Sequence, residues 1–561
     1  MTTPTLPPRS GGQVLVDALR IHGTDTAYCV PGESFLAVLD ALYLSREAIR
    51  LIVCRQEGGA AHMAEAHAKL TGEPGICFVT RGPGSTNASI AIHTARQDST
   101  PLIVFIGQVG REAMGREAWQ EIDYRQMFGH IAKWVDQVDD ARRLPEYISR
   151  AFHVATSGRP GPVVLALPED MLTDLVAVAD AQRYRRSASA PTPEAMEGLA
   201  VELARAERPL VVLGGGGWTR EASADITAFA ANFDLPVACA FRRQDLIDNH
   251  DEHYVGEAGL GMDARIAQRL RDADLIIAVG ARLGETSTQG YTLLDVPRPT
   301  QRLVHVHPDS EELGHVYQAD VPVNASMPAF ARAACALKPA GAPRWREWTR
   351  EARADQMQHI QPPSTMPGYV DFGRVMVHLR EALPADTIVS NGAGNYTLWV
   401  QRFWRYSGIR TQLAPTSGTM GYGLPAAIAA KLVHPDRTAL CFAGDGCFLM
   451  NAQELATAVQ YGLNVIVIVV NNGMYGSIRM HQERHYPDHV WGTALVNPDF
   501  AALARSYGAH GETVAHTADF AAALERARAC GKPALIELRV SGEALSPNLT
   551  VDMLRSLKRR E

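Results

Sequence analysis

The chain has 561 residues, which exceeds what one hydrophobic core usually holds, so we expect about three or four domains. It is 46% hydrophobic and 20% charged, and its net charge of −7 with scattered basic residues argues against a nucleic-acid-binding surface. The apolar runs are strand-length, which argues against a membrane-spanning helix. The start, MTTPTLPPRSGG, lacks the apolar core of a secretory signal. Eight singly spaced cysteines without a C-x-x-C pair are typical of reduced thiols in a cytoplasmic protein.

Along the chain, short Val/Ile/Leu runs alternate with Ala-rich helical stretches, a pattern typical of α/β domains with doubly wound parallel sheets. Three such domains are predicted, over residues 1–182, 195–338 and 369–545. Their predicted strands are 51–54, 75–80, 102–107 and 162–167; then 209–215, 236–240, 275–280 and 302–307; then 387–392, 439–444, 464–470 and 533–538. Proline-rich or polar stretches at 183–194, 338–343 and 361–368 are predicted to connect the domains.

Within the third domain, the segment 438–473 combines an acidic residue between glycines with an asparagine pair. Gly444, Asp445 and Gly446 follow one predicted strand, and Asn472 follows the next. A helix opened by Asn451, with a capping box to Glu454, is predicted between the two strands. Asp445 and Asn472 are therefore expected at the carboxyl ends of neighbouring parallel strands, where open α/β sheets bind ligands.

These residue types point to a particular chemistry. A carboxylate and an amide oxygen suit Mg²⁺, which leaves coordination positions for phosphate oxygens and water. The flanking glycines let backbone N–H groups approach those phosphates. For each residue alone, ordinary turn chemistry is the better explanation. The length of the whole pattern, G-D-G, 24 residues and N-N, favours a metal–phosphate site.

The pattern resembles the motif of thiamine-diphosphate-dependent enzymes, and its neighbourhood, GDGCFLMNAQELATA, is most similar to acetolactate synthase catalytic subunits. The resemblance extends over nearly the whole chain, through RQEGGAAHMAEAHAK (55–69), RGPGSTNA (81–88) and TSGTMGYGLPAAIAA (416–430), in the family's order. It implies a pyrimidine-binding domain, a central Rossmann-like domain and a pyrophosphate-binding domain. It also implies a homodimer or a dimer of dimers, with active sites at the interface.

The resemblance assigns cofactor-binding roles. Mg²⁺ ligands would be Asp445, Asn472 and the carbonyl of Met474, with Tyr475 beside them. Phosphate donors would come from Gly446, from Cys447 and from the turn that contains Gly392, Gly394 and Asn395. Met420 would separate the two cofactor rings, and the carbonyl of Gly418 would accept from the pyrimidine amino group. Glu57, at a helix start after a predicted strand, would share a proton with the pyrimidine ring.

The family reaction implied is decarboxylation of a 2-oxo acid and ligation of the product to a second carbonyl compound. Further residues fall near the reacting centre in this resemblance. The catalytic candidates are His93, Glu33 and Gln120, and the substrate-pocket candidates are Ser34, Trp119, Lys133 and His481. His481 stands where acetolactate synthases have a tryptophan. The spacing of His481 with His485 and His489 also matches metal ligands, although Pro487 interrupts a helix there.

Two departures from the family keep alternatives open. The segment aligned with the flavin-contacting F-D-D-R run reads Leu283, Gly284, Glu285 and Thr286, which argues against FAD and weakens the acetolactate assignment. Gly214 to Gly217 resemble a dinucleotide turn without the full fingerprint. The alternatives are therefore a simple 2-oxo acid decarboxylase, a lyase of 2-hydroxy ketones or 2-hydroxyacyl thioesters, and a Rossmann-type oxidoreductase.

Overall fold

The computed structural model describes residues 6–339, 341–363 and 366–558. The N-terminal stretch MTTPTLPPRSGG and the two predicted connections, 338–343 and 361–368, lie partly outside the described residues. The chain forms two compact units that divide between Ser187 and Ala188, inside the predicted connection 183–194.

The first unit contains one parallel six-stranded sheet with strand order β3-β2-β4-β5-β7-β6. The strands of this sheet are β2 Thr26–Cys29, β3 Arg50–Val53, β4 Gly75–Val79, β5 Leu102–Gln108, β6 Trp134–Gln137 and β7 Pro162–Pro168. Two further short strands, β1 Arg9–Ser10 and β8 Leu175–Val176, pair with each other antiparallel. Its helices are α1 Gly11–His22, α2 Leu36–Leu44, α3 Glu57–Thr71, α4 Gly82–Asp98, α5 Tyr124–Phe128 and α6 Leu144–Thr156. β4, β5 and β7 are completely buried, as expected when helices cover both faces of a parallel sheet.

The second unit contains two parallel six-stranded sheets, and the first of these has strand order β11-β10-β9-β12-β13-β14. Its strands are β9 Pro209–Leu213, β10 Val237–Ala240, β11 Tyr254–Ala258, β12 Leu275–Val279, β13 Arg302–His307 and β14 Val321–Asn324. The helices are α7 Pro193–Arg205, α8 Arg220–Phe233, α9 Ala264–Asp272, α10 Met327–Ala336 and α11 Arg346–His359. Helix α11 lies between the two Pro-rich stretches predicted to connect the domains. It packs on this sheet, because Trp345 and Ala352 belong to the hydrophobic cores on its faces.

The last sheet has strand order β16-β15-β17-β18-β20-β19. Its strands are β15 Ile388–Asn391, β16 Gln412–Leu413, β17 Ala439–Gly444, β18 Ile466–Asn471, β19 His510–Val514 and β20 Ala534–Arg539, followed by the hairpin β21 Ala544–Ser546 and β22 Leu549–Thr550. The helices are α12 Phe372–Ala382, α13 Thr397–Phe403, α14 Gly423–Val433, α15 Asp445–Phe448, α16 Glu454–Gln460, α17 Gly476–His485, α18 Phe500–Ser506, α19 Phe520–Ala529 and α20 Val551–Lys558. The predicted α/β class with three doubly wound parallel sheets is confirmed.

The sequence pattern missed two strands in each sheet. The missed strands are β2, β6, β11, β14, β16 and β19. Five of them are edge strands that are partly polar or only two residues long, and β2 lies next to an edge, so they lack the long apolar run that marks a central strand. Among the helices of the described residues, none has the length and apolarity needed to cross a membrane.

Candidate active site

Asp445 lies where β17 ends and α15 begins, not in the turn expected from the sequence. Its side chain is 2% exposed. Its Oδ2 accepts hydrogen bonds from the Gly473 N–H at 2.9 Å and from Asn497 Nδ2 at 2.8 Å. Burial raises the pKa of Asp445 above its usual range, and the hydrogen bonds from Asn497 and from backbone N–H groups only partly oppose this. The carboxylate is therefore a buried acceptor whose charge a cation would stabilise.

Asn472 directly follows β18, the neighbouring strand, in which Val470 pairs with Gly444 of β17. Its Oδ1 accepts from the Met474 N–H at 3.1 Å, which closes a short turn. The sequence predicted that Asp445 and Asn472 follow neighbouring strands, and the pairing of β17 with β18 agrees. The Gly473 N–H links the two strand ends by donating to the Asp445 carboxylate.

Asn497 was not identified from the sequence, although it belongs to this cluster. Its Nδ2 donates to Asp445 Oδ2 and, at 3.0 Å, to Asn471 Oδ1. Its own Oδ1 is buried and has no hydrogen-bond partner among the described residues. A single asparagine in a loop before α18 carries no recognisable spacing, so only the folded chain brings it to the carboxylate. A buried orphan acceptor beside a buried carboxylate fits a bound cation or its water.

The expected capping box between Asn451 and Glu454 is wrong. Gln453 precedes α16 without a side-chain cap, and Asn451 Nδ2 donates instead to the carbonyl of Gly421 at 2.9 Å. The Glu454 carboxylate accepts from the Thr457 hydroxyl at 2.6 Å. Asn451 is therefore held by a distant segment of the chain, and Glu454 accepts from a residue of its own helix instead of capping it.

The glycines around Asp445 let neighbouring aromatic rings pack closely against the backbone. A Cβ on Gly446 would lie 2.5 Å from the Tyr475 ring, and a Cβ on Gly444 would lie 3.1 Å from the Tyr396 ring. Gly394 has a φ of 144° that disfavours any other residue. The N–H of Gly392 donates inward to the Tyr396 hydroxyl at 3.0 Å, so this N–H is not available as the phosphate donor expected from the sequence.

Asn395, also predicted at the phosphate turn, is held by α17. Its Oδ1 accepts from the Ser477 hydroxyl at 2.7 Å. Cys447 is buried, and its sulfur contacts the Tyr396 hydroxyl at 3.4 Å. It is the third residue of α15, and its sulfur packs against Gly392, on which a Cβ would lie 2.4 Å away.

Met420 and Gly418 lie in the turn that precedes α14. Gly418 is exposed with a φ of 67°, and its N–H donates to the Pro415 carbonyl at 3.1 Å. Met420 is half-buried against the core of the last domain, so part of its thioether side chain remains available to a ligand.

In the first unit, Glu57 starts α3 directly after β3, as predicted. The Gln56 side chain caps the helix by accepting from the Gly59 N–H at 3.0 Å. Glu57 Oε2 accepts from Asn87 Nδ2 of α4 at 2.9 Å, and a Cβ on Gly84 would lie 3.3 Å from Oε1. The carboxyl group is half-exposed between the first turns of two helices, where one oxygen is held and the other faces a glycine.

The structure brings Gln120 to the same region. It has a φ of 66°, and its carbonyl accepts from the Gly82 N–H at the start of α4. Trp119 beside it is 69% exposed. Ser34 is buried and exchanges a hydrogen bond with the Thr80 hydroxyl at 3.0 Å. These residues surround the start of α4 and remain predicted site residues.

The other candidates are placed less favourably for chemistry. Glu33 is exposed and lies 3.6 Å from Arg81, and His93 is exposed on α4. His481 is exposed on α17 and stacks on His485 with ring centroids 6.3 Å apart. Lys133 donates to the carbonyls of Val154 and Ser157 at 2.6 and 2.7 Å, so its ammonium group stabilises the fold rather than extending as a free pocket cation.

Two weaker ligand signals have structural explanations. A Cβ on Gly215 would lie 2.2 Å from the Gly280 carbonyl, so the glycines after β9 permit close backbone packing. In the described part of the chain, no three His, Cys, Asp or Glu side chains cluster as a metal site, so the histidines of α17 do not form one. The metal site predicted at Asp445 uses amide and carbonyl oxygens besides its carboxylate.

The fold and this site define the class of protein. Models of the thiamine pyrophosphate enzymes match three parts of the chain: the N-terminal TPP-binding domain over residues 9–127, the central domain over 196–334 and the C-terminal TPP-binding domain over 392–538. The chain therefore belongs to the thiamine pyrophosphate enzyme family, and it is an enzyme that uses this cofactor and small-molecule substrates.

Within that family the chain is similar to acetolactate synthases. It is 35% identical over 535 residues to the acetolactate synthase large subunit of Parasynechococcus marenigrum, covering 92% of this chain and 86% of that protein. It is 31% identical to the isozyme 1 large subunit of Escherichia coli, covering 97% and 96%. It is also 31% identical to the large subunit of Lactococcus lactis, covering 89% and 87%. The resemblance inferred from the motifs is confirmed.

Proposed function

We propose that this chain decarboxylates a 2-oxo acid and joins the remaining carbon unit to a second carbonyl compound, as the name acetolactate synthase states for its relatives. The observation that carries the proposal is the buried Asp445 carboxylate at the ends of β17 and β18, beside Asn472 and the orphaned Asn497 oxygen. Such an arrangement suits a metal-held diphosphate, which is what a thiamine enzyme of this type requires.

The residues present fit Mg²⁺. Asp445 supplies a buried charge, and Asn472 and the Met474 carbonyl supply neutral hard oxygens, which is the donor set that Mg²⁺ prefers. Gly444 and Gly446 carry no side chain of their own, and we propose that phosphate oxygens approach the backbone N–H groups at the start of α15. In this proposal Asn497 orients the Asp445 carboxylate, because both its donated hydrogen bonds fix neighbouring side chains.

Glu57 is proposed to hold and pass a proton. Asn87 donates to one carboxyl oxygen, which leaves the other to share a proton with the pyrimidine ring. Bound thiamine diphosphate would supply an electron sink for the carbon–carbon bond that breaks. Met420 would hold the cofactor bent, because its side chain is only half-buried and long enough to separate two rings.

The substrate is set by the side chains around the reacting carbon. We assign Trp119, Gln120 and Ser34 to this pocket because they gather around the start of α4, and we propose His481 as a further, exposed contact. We assign no role to FAD, because Leu283 and Gly284 stand where the flavin-contacting residues of the family are expected. We further propose a homodimer or dimer of dimers with the active sites at its interface.

Product analysis tests the proposal. The purified chain is incubated with Mg²⁺, thiamine diphosphate, pyruvate and a panel of other 2-oxo acids and aldehydes, and the products are followed by NMR. A 2-hydroxy ketone or 2-hydroxy-2-methyl-3-oxo acid is expected. Aldehyde as the sole product would replace carboligation by simple decarboxylation. Cleavage of added 2-hydroxy ketones without any decarboxylation would assign the chain as a lyase.

A further inference from the structure

A buried hydrogen-bonded link joins three turns of the last domain. The Gly392 N–H donates to the Tyr396 hydroxyl at 3.0 Å, this hydroxyl contacts Cys447 Sγ at 3.4 Å, and the Gly421 N–H donates to the same sulfur at 3.3 Å. The link therefore runs from the turn after β15, through the first turn of α15, to the turn that precedes α14. Neither the motif pattern nor the proposed mechanism uses these side-chain contacts.

The three segments are those that the proposed function requires to be in register. Gly392 opens the turn predicted to bind phosphate, and Cys447 is two residues after Asp445. Gly421 directly follows Met420, the residue assigned to separate the cofactor rings. Gly421 is held on its other side as well, because its carbonyl accepts from Asn451 Nδ2 at 2.9 Å.

Packing leaves little freedom at the link. Both Tyr396 and Cys447 are buried. A Cβ on Gly392 would lie 2.4 Å from Cys447 Sγ, and one on Gly394 would lie 3.0 Å from the Tyr396 ring. Burial beside Cys447 raises the pKa of Tyr396 well above its usual range, so the phenol keeps its proton. A neutral hydroxyl and a sulfur atom of this kind can hold turns together without adding charge near a diphosphate.

We propose that Tyr396 and Cys447 are positioning residues that set the spacing between the phosphate turn, the Asp445 helix and the Met420 turn. The inference rests on the proposed function of this site. The two side chains act through the backbone N–H groups of Gly392 and Gly421, so they contribute to cofactor binding without touching the cofactor. A phenylalanine at 396 would keep the ring and leave the Gly392 N–H without its partner.

The experiment compares Y396F, C447A and C447S with the wild-type chain. Dissociation constants for thiamine diphosphate are measured calorimetrically at saturating Mg²⁺, with the melting temperature of the cofactor-free chain and the KM for thiamine diphosphate as further readouts. Y396F and C447A are expected to raise both constants about tenfold with a smaller change in kcat, since one hydrogen bond is worth about 0.5–1.5 kcal/mol. C447S, which keeps a group able to donate and accept, is expected to stay near wild type.

Matched controls separate positioning from core packing. Y406F removes a hydroxyl from another buried tyrosine, and C239A removes a buried thiol from the central sheet. Both are expected to leave cofactor affinity unchanged. The double variant Y396F/C447A should lose little more than either single variant, because both break the same link.

The results that would overturn the positioning role differ from the result that would overturn the proposed function. Wild-type affinity in Y396F and C447A, or losses that match those of Y406F and C239A, would overturn the inference. Independent, additive losses in the double variant would also overturn it, because they would exclude one shared link. A wild-type chain that does not bind thiamine diphosphate with Mg²⁺ would overturn the proposed function, and the positioning role with it.

Discussion

Replacing Asp445 by asparagine should stabilise the cofactor-free chain and abolish metal-dependent cofactor binding. Two hydrogen bonds to this side chain, from the Gly473 N–H and from Asn497 Nδ2, are accepted by the same oxygen, Oδ2. The amide oxygen of an asparagine can therefore keep both, while the substitution removes a buried charge. The pKa of Asp445 is raised in the fold, which means that its ionised form lowers the free energy of unfolding at neutral pH.

The expected magnitudes follow from these contacts. Removing the charge while keeping both hydrogen bonds should raise the free energy of unfolding by about 1 kcal/mol, which corresponds to an increase in melting temperature of about 2–4 °C. The loss of the charged Mg²⁺ ligand should weaken cofactor binding about 100-fold or more. Stability and function are thus predicted to change in opposite directions, which a general packing defect would not produce.

The assay is thermal unfolding of the chain with and without Mg²⁺ and thiamine diphosphate, together with calorimetric titration. D499N is the matched control, because Asp499 is an exposed helix cap that accepts from the Ala502 N–H at 2.8 Å and has no predicted metal role. It should leave cofactor affinity unchanged. A D445N chain that unfolds at a lower temperature without cofactor, or that binds thiamine diphosphate with wild-type affinity, would refute the reasoning.

Three further outcomes are expected. E57Q should lose turnover at least 100-fold while calorimetry still detects cofactor binding, because the amide keeps the shape of Glu57 but cannot relay a proton; unchanged turnover would exclude the relay. Burial raises the pKa of Glu257 to about 7, so the folded chain binds this proton more tightly than the unfolded chain. The protonated carboxyl group therefore stabilises the fold fully below the usual carboxyl pKa, and this stabilisation is lost as the pH rises to about 7. The melting temperature of E257Q should exceed that of the wild type by a margin that grows between pH 5 and 8. A difference that stays constant with pH would contradict this. G446A should weaken cofactor binding about tenfold or more, since its Cβ would lie 2.5 Å from the Tyr475 ring, whereas G284A, with nothing within 4 Å, should bind normally; equal affinities would contradict the steric argument.

Local signals in the sequence were sufficient for much of this protein. Each of these central strands is an almost wholly buried run that consists mainly of apolar residues, so β4, β5, β12, β17 and β18 could be identified from the apolar runs alone. The spacing of Asp445 and Asn472 predicted the ends of neighbouring strands, because chain order and parallel pairing together define that edge of a sheet. The helix start at Glu57 was also readable, since an apolar strand stops there and an Ala-rich run begins.

Hydrogen bonds between residues far apart in the chain could not be predicted from the sequence. Asn451 has the spacing of a helix cap, yet its amide donates to Gly421, which is 30 residues away in the chain. Lys133 was expected in a substrate pocket, but two backbone carbonyls more than 20 residues away hold its ammonium group. Short edge strands such as β16 carry too few residues for any period, so only pairing with a neighbour defines them.

The sequence by itself therefore determined the three-sheet α/β class, the cofactor family and the residues at the ends of two central strands, because these depend on local patterns and on chain order. Only the tertiary structure decided how those residues are held. Asn497 joins Asp445 from 52 positions away, and Tyr396 meets Cys447 across 51. Buried polar groups pair with whichever partners the folded chain brings within reach. A short stretch of sequence contains no information about those partners.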